Sequence, residues 1–286
     1  MDDRLVLDLK CWDRIAELKS GVNHDNEDDF KLGKPPIIEW WIRSTFVPPD
    51  DGEPWDWSHV FAFLDKYKEV LPTAERLPNI VPQAEPVIDP DSRNFIFEVA
   101  AEPAYFRRRT EDSSKTVQVG EHELVVSHLR KRPGTYPGFN DLFRQFDEFL
   151  SDYYRTFQPA AIDKLELHNV DLIVIPERAN EKFELTDFLV GAPTLPPEPF
   201  GTAFDTDWSI SFSCPDPRDI AHVAFSMLPP DGNDVRFRLD WHYWCQKIAD
   251  EDRNSVADRL QIAHNYLNRC FRTIFTPFVW DLFEPQ

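Results

Sequence analysis

The sequence has few glycines, few basic residues and no long hydrophobic run. Among 286 residues there are 9 glycines, and 31 Lys and Arg stand against 51 Asp and Glu, which gives a formal charge of -20. Affinity for nucleic acid comes mainly from Lys and Arg that displace counterions from phosphates, so the chain as a whole is not expected to bind nucleic acid. Because there is no apolar run of about 18 residues and the start (MDDRLVLDLK) is acidic, we expect a soluble cytoplasmic protein without membrane contact.

Catalytic and metal-binding motifs are also missing. The nucleophile elbow G-x-S-x-G, the phosphate-binding loop G-x-x-x-x-G-K-[ST] and the dinucleotide motif G-x-G-x-x-G do not occur. The four cysteines, Cys11, Cys214, Cys245 and Cys270, are scattered, which predicts reduced thiols, buried or half-buried, rather than disulfides or a structural zinc. His122 stands between two glutamates but matches no known ligand spacing. We therefore predict no catalytic residue, no metal and no cofactor.

The apolar content is nevertheless high enough for a large core. Hydrophobic residues make up 42% of the chain and aromatic residues 14%, which excludes wholesale disorder. The N-terminal segment differs from the rest. Apolar side chains at helical spacing from Leu5 to Leu18 predict a short helix, and residues 23–29 contain no apolar side chain. Residues 1–30 are therefore predicted to be an N-terminal helix followed by an acidic linker.

Residues 31–178 contain the first set of predicted elements. A β-branched and aromatic run between two proline pairs predicts a strand that ends near Phe46, and apolar residues three or four apart predict a helix from Trp57 to Leu71. The prolines between Leu71 and Pro90 predict a surface loop. An antiparallel meander is then predicted, with strands at 94–100, 104–109, 115–119 and 123–129.

The most regular pattern begins at Phe139 and leads into a second set of elements. Large apolar or aromatic residues recur along one face as far as Phe157, which predicts a five-turn helix lying across a sheet, and a strand follows. Residues 179–286 then repeat the order of meander and helix. The predicted elements are strands at 208–214, 219–227 and 234–241 and a helix at 255–274. We therefore predict an α+β fold of two related halves, each an antiparallel β-meander with one long helix packed on a face.

Several short motifs resemble those of a sporadically distributed, uncharacterised family of bacterial proteins of about this size. They are Lys34-Pro35-Pro36-Ile37-Ile38-Glu39, Val126-Ser127-His128-Leu129, Tyr136-Pro137-Gly138-Phe139, Leu165-Glu166-Leu167-His168-Asn169-Val170, Ile175-Pro176, Leu239-Asp240, and a terminal helix with His264 that ends in Phe271-Arg272-Thr273-Ile274-Phe275-Thr276. The resemblance covers residues 33–283 and carries no assigned activity or catalytic residue. It implies a place in mobile or defence-associated gene clusters. The chain also resembles the small accessory protein of type III-E CRISPR loci, which accompanies a caspase-like protease, its cleaved target and a sigma factor.

Positive charge gathers on the first meander. Residues 181–235 contain ten acidic and two basic residues (net -8), whereas residues 105–135 contain seven basic and four acidic ones (net +3). Arginine and tryptophan are enriched in protein interfaces. The candidate partner-binding residues are Arg107, Arg108, Arg109, Arg130, Lys131, Arg132, Trp40 and Trp41. The basic residues can alternatively be interpreted as a charge-balanced edge of the sheet. The tryptophans can alternatively be interpreted as core residues.

Two glutamates that interrupt apolar strands suggest an enzymatic alternative. Glu39 and Glu98 each stand inside a β-type run, and the alternation of side chains along a strand lets both face solvent or a cleft. If they were buried together, the pKa of one would rise and that carboxyl could act as a general acid. Such a site would lie between the two halves, with His168 as a further candidate.

The sequence thus favours a non-enzymatic accessory or regulatory protein. It is predicted to bind a protein partner encoded nearby in a prokaryotic defence gene cluster of the CRISPR type, because the acidic surface can steer basic partners and no catalytic motif competes with this interpretation. Two alternatives remain open: an enzyme or small-ligand receptor with a site between the halves, and a nucleic-acid binder that uses the two arginine-rich runs at 107–109 and 130–132. No pattern in the sequence indicates the oligomeric state.

Overall fold

The computed structural model describes most of the chain from Pro36 to Phe283. The described residues are 36–49, 56–77, 87–88, 95–96, 105–131, 138–176, 185–190, 207–214, 216–231, 234–246, 248 and 253–283. The N-terminal helix and acidic linker predicted for residues 1–30 lie outside these ranges, as do Glu98 and Arg132.

The fold is α+β and is built on one antiparallel sheet of nine strands. The strands are β1 (Ile37–Val47), β2 (Thr73–Leu77), β5 (Tyr105–Arg109), β6 (Lys115–Gly120), β7 (Glu123–Leu129), β8 (Ala161–Ile175), β9 (Asp207–Ser213), β10 (Ile220–Asp231) and β11 (Asp234–Gln246), and β3 (Val87–Ile88) pairs with β4 (Phe95–Ile96) in a separate two-stranded ladder. The helices are α1 (Trp57–Asp65), α2 (Phe139–Phe157), α3 (Arg253–Ile274) and α4 (Pro277–Leu282). The order across the sheet is β2-β5-β6-β7-β1-β8-β11-β10-β9, so β1 and β8 lie at its centre.

The two meanders occur in this single sheet, except that the strand predicted at 94–100 is described only at Phe95–Ile96, where β4 pairs with β3 in the separate ladder. Strands β5, β6 and β7 pair in sequence on one side of β1, and β9, β10 and β11 pair in sequence on one side of β8. Each meander is followed along the chain by a long helix, α2 after β7 and α3 after β11. Because β8 of the predicted first half pairs with β11 of the predicted second half, one continuous sheet crosses the boundary predicted near residue 178. The relatedness of the two halves stays a prediction.

The described helices pack on one face of the sheet. In β1 the buried side chains of Trp40, Ile42 and Phe46 point toward the helices, and the half-buried Trp41 and Arg43 point the other way. This alternation follows from the period of two along a strand. Helices α2 and α3 meet above the centre of the sheet, where the Phe139 ring stacks on the His264 ring with centroids 3.9 Å apart and both rings lie near Trp40.

The long helix α2 has the predicted bounds and the predicted buried face. Its buried residues are Phe139, Leu142, Phe146, Phe149, Leu150 and Tyr153, which recur every three or four residues apart from the adjacent Phe149 and Leu150. Gly138 precedes the helix with φ of 81°, a left-handed conformation that glycine adopts without a Cβ clash. Helix α1 starts at Trp57 as predicted, where the Asp56 carboxylate accepts the Ser58 backbone N–H at 2.8 Å, but it ends at Asp65 and not at Leu71.

One predicted loop is wrong in part, because residues 73–77 form the edge strand β2. The segment Thr-Ala-Glu-Arg-Leu lacks the apolar alternation of a half-buried strand, so its sequence does not predict one. It pairs with β5, and its Glu75 binds Arg107 and Arg109 across the ladder. Ion pairs between neighbouring strands therefore stabilise β2 in place of apolar burial.

A buried ion pair fixes α3 to the turn between β9 and β10. The Arg259 guanidinium donates to Asp219 at 2.5 Å and to Asp216 at 2.6 Å, and the Tyr243 hydroxyl donates to Asp219 at 2.8 Å. Asp219 is 1% exposed. The hydrogen bonds from Arg218 and Arg259 hold the pKa of Asp216 well below its usual range.

Replacing Arg259 by leucine should destabilise the protein strongly. The change removes the cation from a buried carboxylate that cannot be rehydrated, and losing one partner of a buried ion pair costs about 3–5 kcal/mol. Urea unfolding measures the loss. Arg155, which is paired on the surface of α2 and is 75% exposed, gives the matched control, since Arg155→Leu should cost less than about 1 kcal/mol. Equal losses in the two variants would contradict a structural role for the Arg259 pair.

Candidate functional site

The face of the sheet opposite the helices carries the candidate site; we call it the open face. The strand register aligns its side chains in rows that cross the sheet. The central row consists of Arg109, Thr116, Ser127, Trp41, His168, His242, His222 and Ser211, from β5 to β9. Residues far apart in the sequence therefore become direct neighbours on this face.

A hollow of about 560 Å³ lies on the open face over β5, β6, β7 and β1. Its charged lining residues are Glu39, Arg43, Glu75, Arg107, Arg109 and Glu123, and Tyr105, Trp41, Thr116, Gln118 and Ser127 complete most of the wall. We call it the arginine hollow. Its volume lies within the range of roughly 300–1,000 Å³ that is usual for ligand pockets. Three arginines and three glutamates make its formal charge zero, in a chain whose net charge is -20.

At one end of the hollow, two arginines share one carboxylate. Arg109 Nε donates to Glu75 at 2.6 Å, Arg107 Nε donates to the same carboxylate at 3.0 Å, and Arg109 also contacts Ser113. The hydrogen bonds from Arg107 and Arg109 lower the pKa of Glu75. The two arginine side chains are 32% and 28% exposed, so their remaining surface faces the hollow. This end carries one net positive charge.

At the other end, one arginine is shared by two carboxylates. Arg43 donates to Glu123 at 2.9 Å and lies 3.6 Å from Glu166, and the Tyr105 hydroxyl donates to Glu123 at 3.0 Å. Burial opposes the charged form of Arg43, but the hydrogen bond and charge of Glu123 outweigh it and raise the pKa of Arg43. Burial likewise raises the pKa of Glu166, and Arg43 only partly offsets it. This end, together with Glu39, is negative.

Beyond Trp41, the open face continues as a cluster of aromatic rings. Trp41 lies 4.5 Å from the His168 ring, His168 stacks on His242 at 3.9 Å, and His242 stacks on Trp244 at 5.1 Å. His222 completes the cluster and accepts or donates a hydrogen bond with Ser211 at 2.9 Å. Burial and then the neighbouring His168 lower the pKa of His242 to about 3, so this ring is neutral at pH 7.

The structure divides the predicted partner-binding residues between different surroundings. Arg107 and Arg109 line the arginine hollow, whereas Arg108 points to the helix face and binds Asp65 at 2.6 Å. Trp41 lies on the open face, whereas Trp40 is a core residue that is 1% exposed. Lys131 is exposed just after β7, and Arg130 is half-buried there. The basic residues of the first meander therefore do not form one surface among the described residues, and partner contact at these positions stays a prediction.

The residues of the enzymatic alternative are also separated. Glu39 lines the arginine hollow, Glu98 lies outside the described residues, and His168 belongs to the aromatic cluster, where its Nε2 is 3.4 Å from Asp240. The hollow lies on strands of the first half and ends at β1, the strand that borders β8.

One carboxyl with a strongly raised pKa was not among the sequence candidates. Asp171 lies on the helix face of β8, fully buried, with its Oδ2 accepting the Trp241 indole N–H at 2.8 Å. Burial raises the pKa of Asp171 to about 7, although this hydrogen bond and the charge of Arg130 oppose the rise. The sequence shows Asp171 as a single aspartate in an apolar strand. It would predict a buried carboxyl with a raised pKa only if the strand were known to be buried on both faces.

Neither the comparison with known protein families nor that with curated proteins gives a match to this chain. In the part of the chain that the structure describes, no three or more His, Cys, Asp or Glu side chains are grouped so that they could hold a metal ion. None of the described helices is both long and apolar enough to cross a membrane. Cys214 and Cys245 are buried and Cys270 is half-buried, and burial raises the pKa of Cys214 and of Cys270 to about 11.

Replacing Asp171 by asparagine should remove a pH dependence of stability. The folded protein keeps a proton on Asp171 up to about pH 7, whereas the unfolded chain releases it near pH 4, so the free energy of unfolding falls as the pH rises between these values. The fall from this group should be roughly 2–4 kcal/mol. Urea unfolding of both proteins at several pH values measures it. Parallel curves for wild type and Asp171→Asn would contradict the assignment.

Replacing Glu75 by glutamine should loosen β2. The change removes the anion that Arg107 and Arg109 share, and leaves β2 attached to β5 mainly by its backbone hydrogen bonds. We expect faster amide hydrogen exchange in Thr73–Leu77 and unchanged exchange in β7. Glu69, which is exposed in the turn after α1, gives the control variant Glu69→Gln. Unchanged exchange in β2 of Glu75→Gln would show that the ion pairs do not stabilise the strand.

Proposed function

We propose that this chain is a non-enzymatic accessory or regulatory protein that binds a protein partner through the open face of its sheet. One observation carries the proposal: the described helices cover one face, whereas the opposite face combines the arginine hollow with a cluster of half-buried aromatic rings. Arginine and tryptophan are the residues that most often dominate binding energy at protein interfaces.

The arginine and tryptophan side chains of the open face are partly exposed and are held in fixed orientations. Arg43, Arg107 and Arg109 keep 28–35% of their side-chain surface exposed while their ion pairs hold them in place. Trp41 and Trp244 are half-buried and are fixed by contacts with His168 and His242. A partner that binds here loses little side-chain entropy, because the groups it meets are already ordered.

The charge distribution favours a protein partner over a nucleic acid. The arginine hollow is neutral in sum, positive at the Glu75 end and negative toward Glu39. A polyanion would meet the glutamates as well as the arginines, whereas a protein surface can present both signs of charge in matching order. The remaining negative charge of the chain speeds association with a basic partner.

The partner is proposed to be encoded near the gene for this chain. The motifs from Lys34 to Thr276 resemble those of a bacterial family from mobile or defence-associated clusters, and the chain resembles, to a lesser degree, the accessory protein of type III-E CRISPR loci. We also infer that the two halves, residues 31–178 and 179–286, are related, since each contains a three-stranded antiparallel meander, β5-β6-β7 or β9-β10-β11, that is followed along the chain by one long helix, α2 or α3.

Reversing the charge of the arginine hollow tests this proposal. Tagged wild type, purified from its native cells, should retain a stoichiometric partner. The double variant Arg107→Glu, Arg109→Glu should lose at least about tenfold in affinity for this partner, because the new glutamates face the acidic groups that the arginines would bind. Arg144→Glu makes the same change on α2, at a side chain that is 79% exposed on the helix side. It should leave binding unchanged.

The outcome is decisive in either direction once folding is verified. The unfolding temperatures of the variants show that each is folded. Equal retention of the partner by wild type and the double variant would reject the open face as the binding surface, and a wild-type protein without any partner would reject the function.

A small anionic ligand is the second candidate, because two arginines converge on the single Glu75 carboxylate inside a hollow of ligand size. Arginine pairs are suited to bidentate binding of carboxylate or phosphate. Inorganic phosphate or citrate should then raise the unfolding temperature of wild type but not of Arg107→Glu, Arg109→Glu. Equal shifts in both proteins would reject such a site.

A further inference from the structure

The two edges of the sheet differ in how they resist pairing with another strand. An edge strand presents unpaired backbone N–H and C=O groups, and proteins usually protect it with charged residues, proline or a short length. The edge strand β2 has five residues, follows Pro72 and contains Glu75 and Arg76. The edge strand β9 has seven residues, Asp-Trp-Ser-Ile-Ser-Phe-Ser, with no proline and no charge after Asp207. The residues of β9 from Trp208 to Ser213 therefore lack the charges and the proline that usually protect an edge strand.

The outer edge of β9 pairs with no strand in the described part of the chain, whereas its inner edge pairs with β10 from Ser226 to Ile220. Its side chains alternate cleanly. Trp208, Ile210 and Phe212 lie opposite the buried Phe225, Val223 and Ala221, and so point to the helix face. Ser209 and Ser211 point to the open face. Ile210, in the middle of the strand, is 39% exposed.

This strand is complementary to itself when it is reversed about Ile210. In an antiparallel pair centred there, Ile210 meets Ile210 of a second copy, Trp208 meets Phe212, and Ser209 meets Ser211. Aromatic residues then pair with aromatic residues on the helix face, and hydroxyls pair with hydroxyls on the open face, which are stabilising cross-strand pairs. A centre at Ser209 or Ser211 would leave more of the strand unpaired.

We propose that the β9 edge binds a second copy of this chain, in antiparallel register about Ile210, so that two sheets join into one. The strand from Trp208 to Ser213 contains no charged residue, so the pairing places no like charges of these residues against each other although the chain has a net charge of -20. The helix layer reaches the same edge, because the Tyr266 ring of α3 lies 6.1 Å from Phe212. The apolar side of the joined strands is thus next to the helix layer in each copy.

The test is the molecular mass in solution, measured by sedimentation equilibrium over a concentration series. Wild type should have the mass of a dimer at the higher concentrations, and Ile210→Lys should have that of a monomer, because two lysines would face each other at the symmetry axis. The control is Ile220→Lys, at a residue of β10 that is equally exposed (39%) but lies one strand inside the edge. It should remain a dimer.

A charge-swap experiment tests the register itself. Ile210→Lys and Ile210→Glu should each be monomeric alone, and an equimolar mixture should form dimers, because residue 210 of one copy then meets an opposite charge at residue 210 of the other. A wild type that is monomeric at all concentrations would overturn the proposal. This holds even if β9 then proved to bind a strand of a different protein. A dimer that survives Ile210→Lys, or a mixture that stays monomeric, would overturn it as well.

Discussion

The antiparallel pairing of β1 with β8 is the constraint on which the rest of the structure depends. It joins two meanders into one sheet, brings α2 and α3 together above Trp40, and leaves the opposite face without a described helix. The same pairing places Trp41 beside His168 and Arg43 beside Glu166. The arginine hollow and the aromatic cluster would otherwise be two separate features; the β1–β8 ladder makes them one surface.

The ion pairs of the open face both stabilise strands and prepare a binding surface. Each arginine of the hollow takes its carboxylate partner from a different strand: Arg43 from β7 and β8, and Arg107 and Arg109 from β2. Each partly exposed pair of this kind contributes at most about 1 kcal/mol to the free energy of folding. Their larger effect is on geometry, because they hold long side chains in one orientation and so reduce the entropy lost when a partner binds.

Helices and strands with a strong apolar periodicity could be predicted from the sequence. The candidate site could not, because it depends on the register in which the strands pair. The apolar stripe of α2 fixed its bounds at Phe139 and Phe157, and the alternation in the meanders located most strands. The edge strand β2 was missed because its partners are charges on β5. Arg107 and Arg108 are adjacent in the sequence, which does not indicate how buried either is. In the sheet they point to opposite faces, so that Arg107 lines the hollow and Arg108 binds Asp65. The row Trp41, His168, His242 and His222 exists only once four strands are aligned.

The proposed contact at β9 and the proposed partner surface are compatible, because one uses an edge of the sheet and the other a face. A two-fold axis through Ile210, perpendicular to the sheet, keeps both open faces on the same side. Each arginine hollow lies over β5 to β1, so β8, β11, β10 and β9 of both copies stand between the two hollows. At a strand spacing of about 4.8 Å the two β1 strands, which border the hollows, would be about 43 Å apart along a flat sheet. A partner with two suitably spaced segments would then bind more tightly than either hollow alone allows, since its second contact is intramolecular.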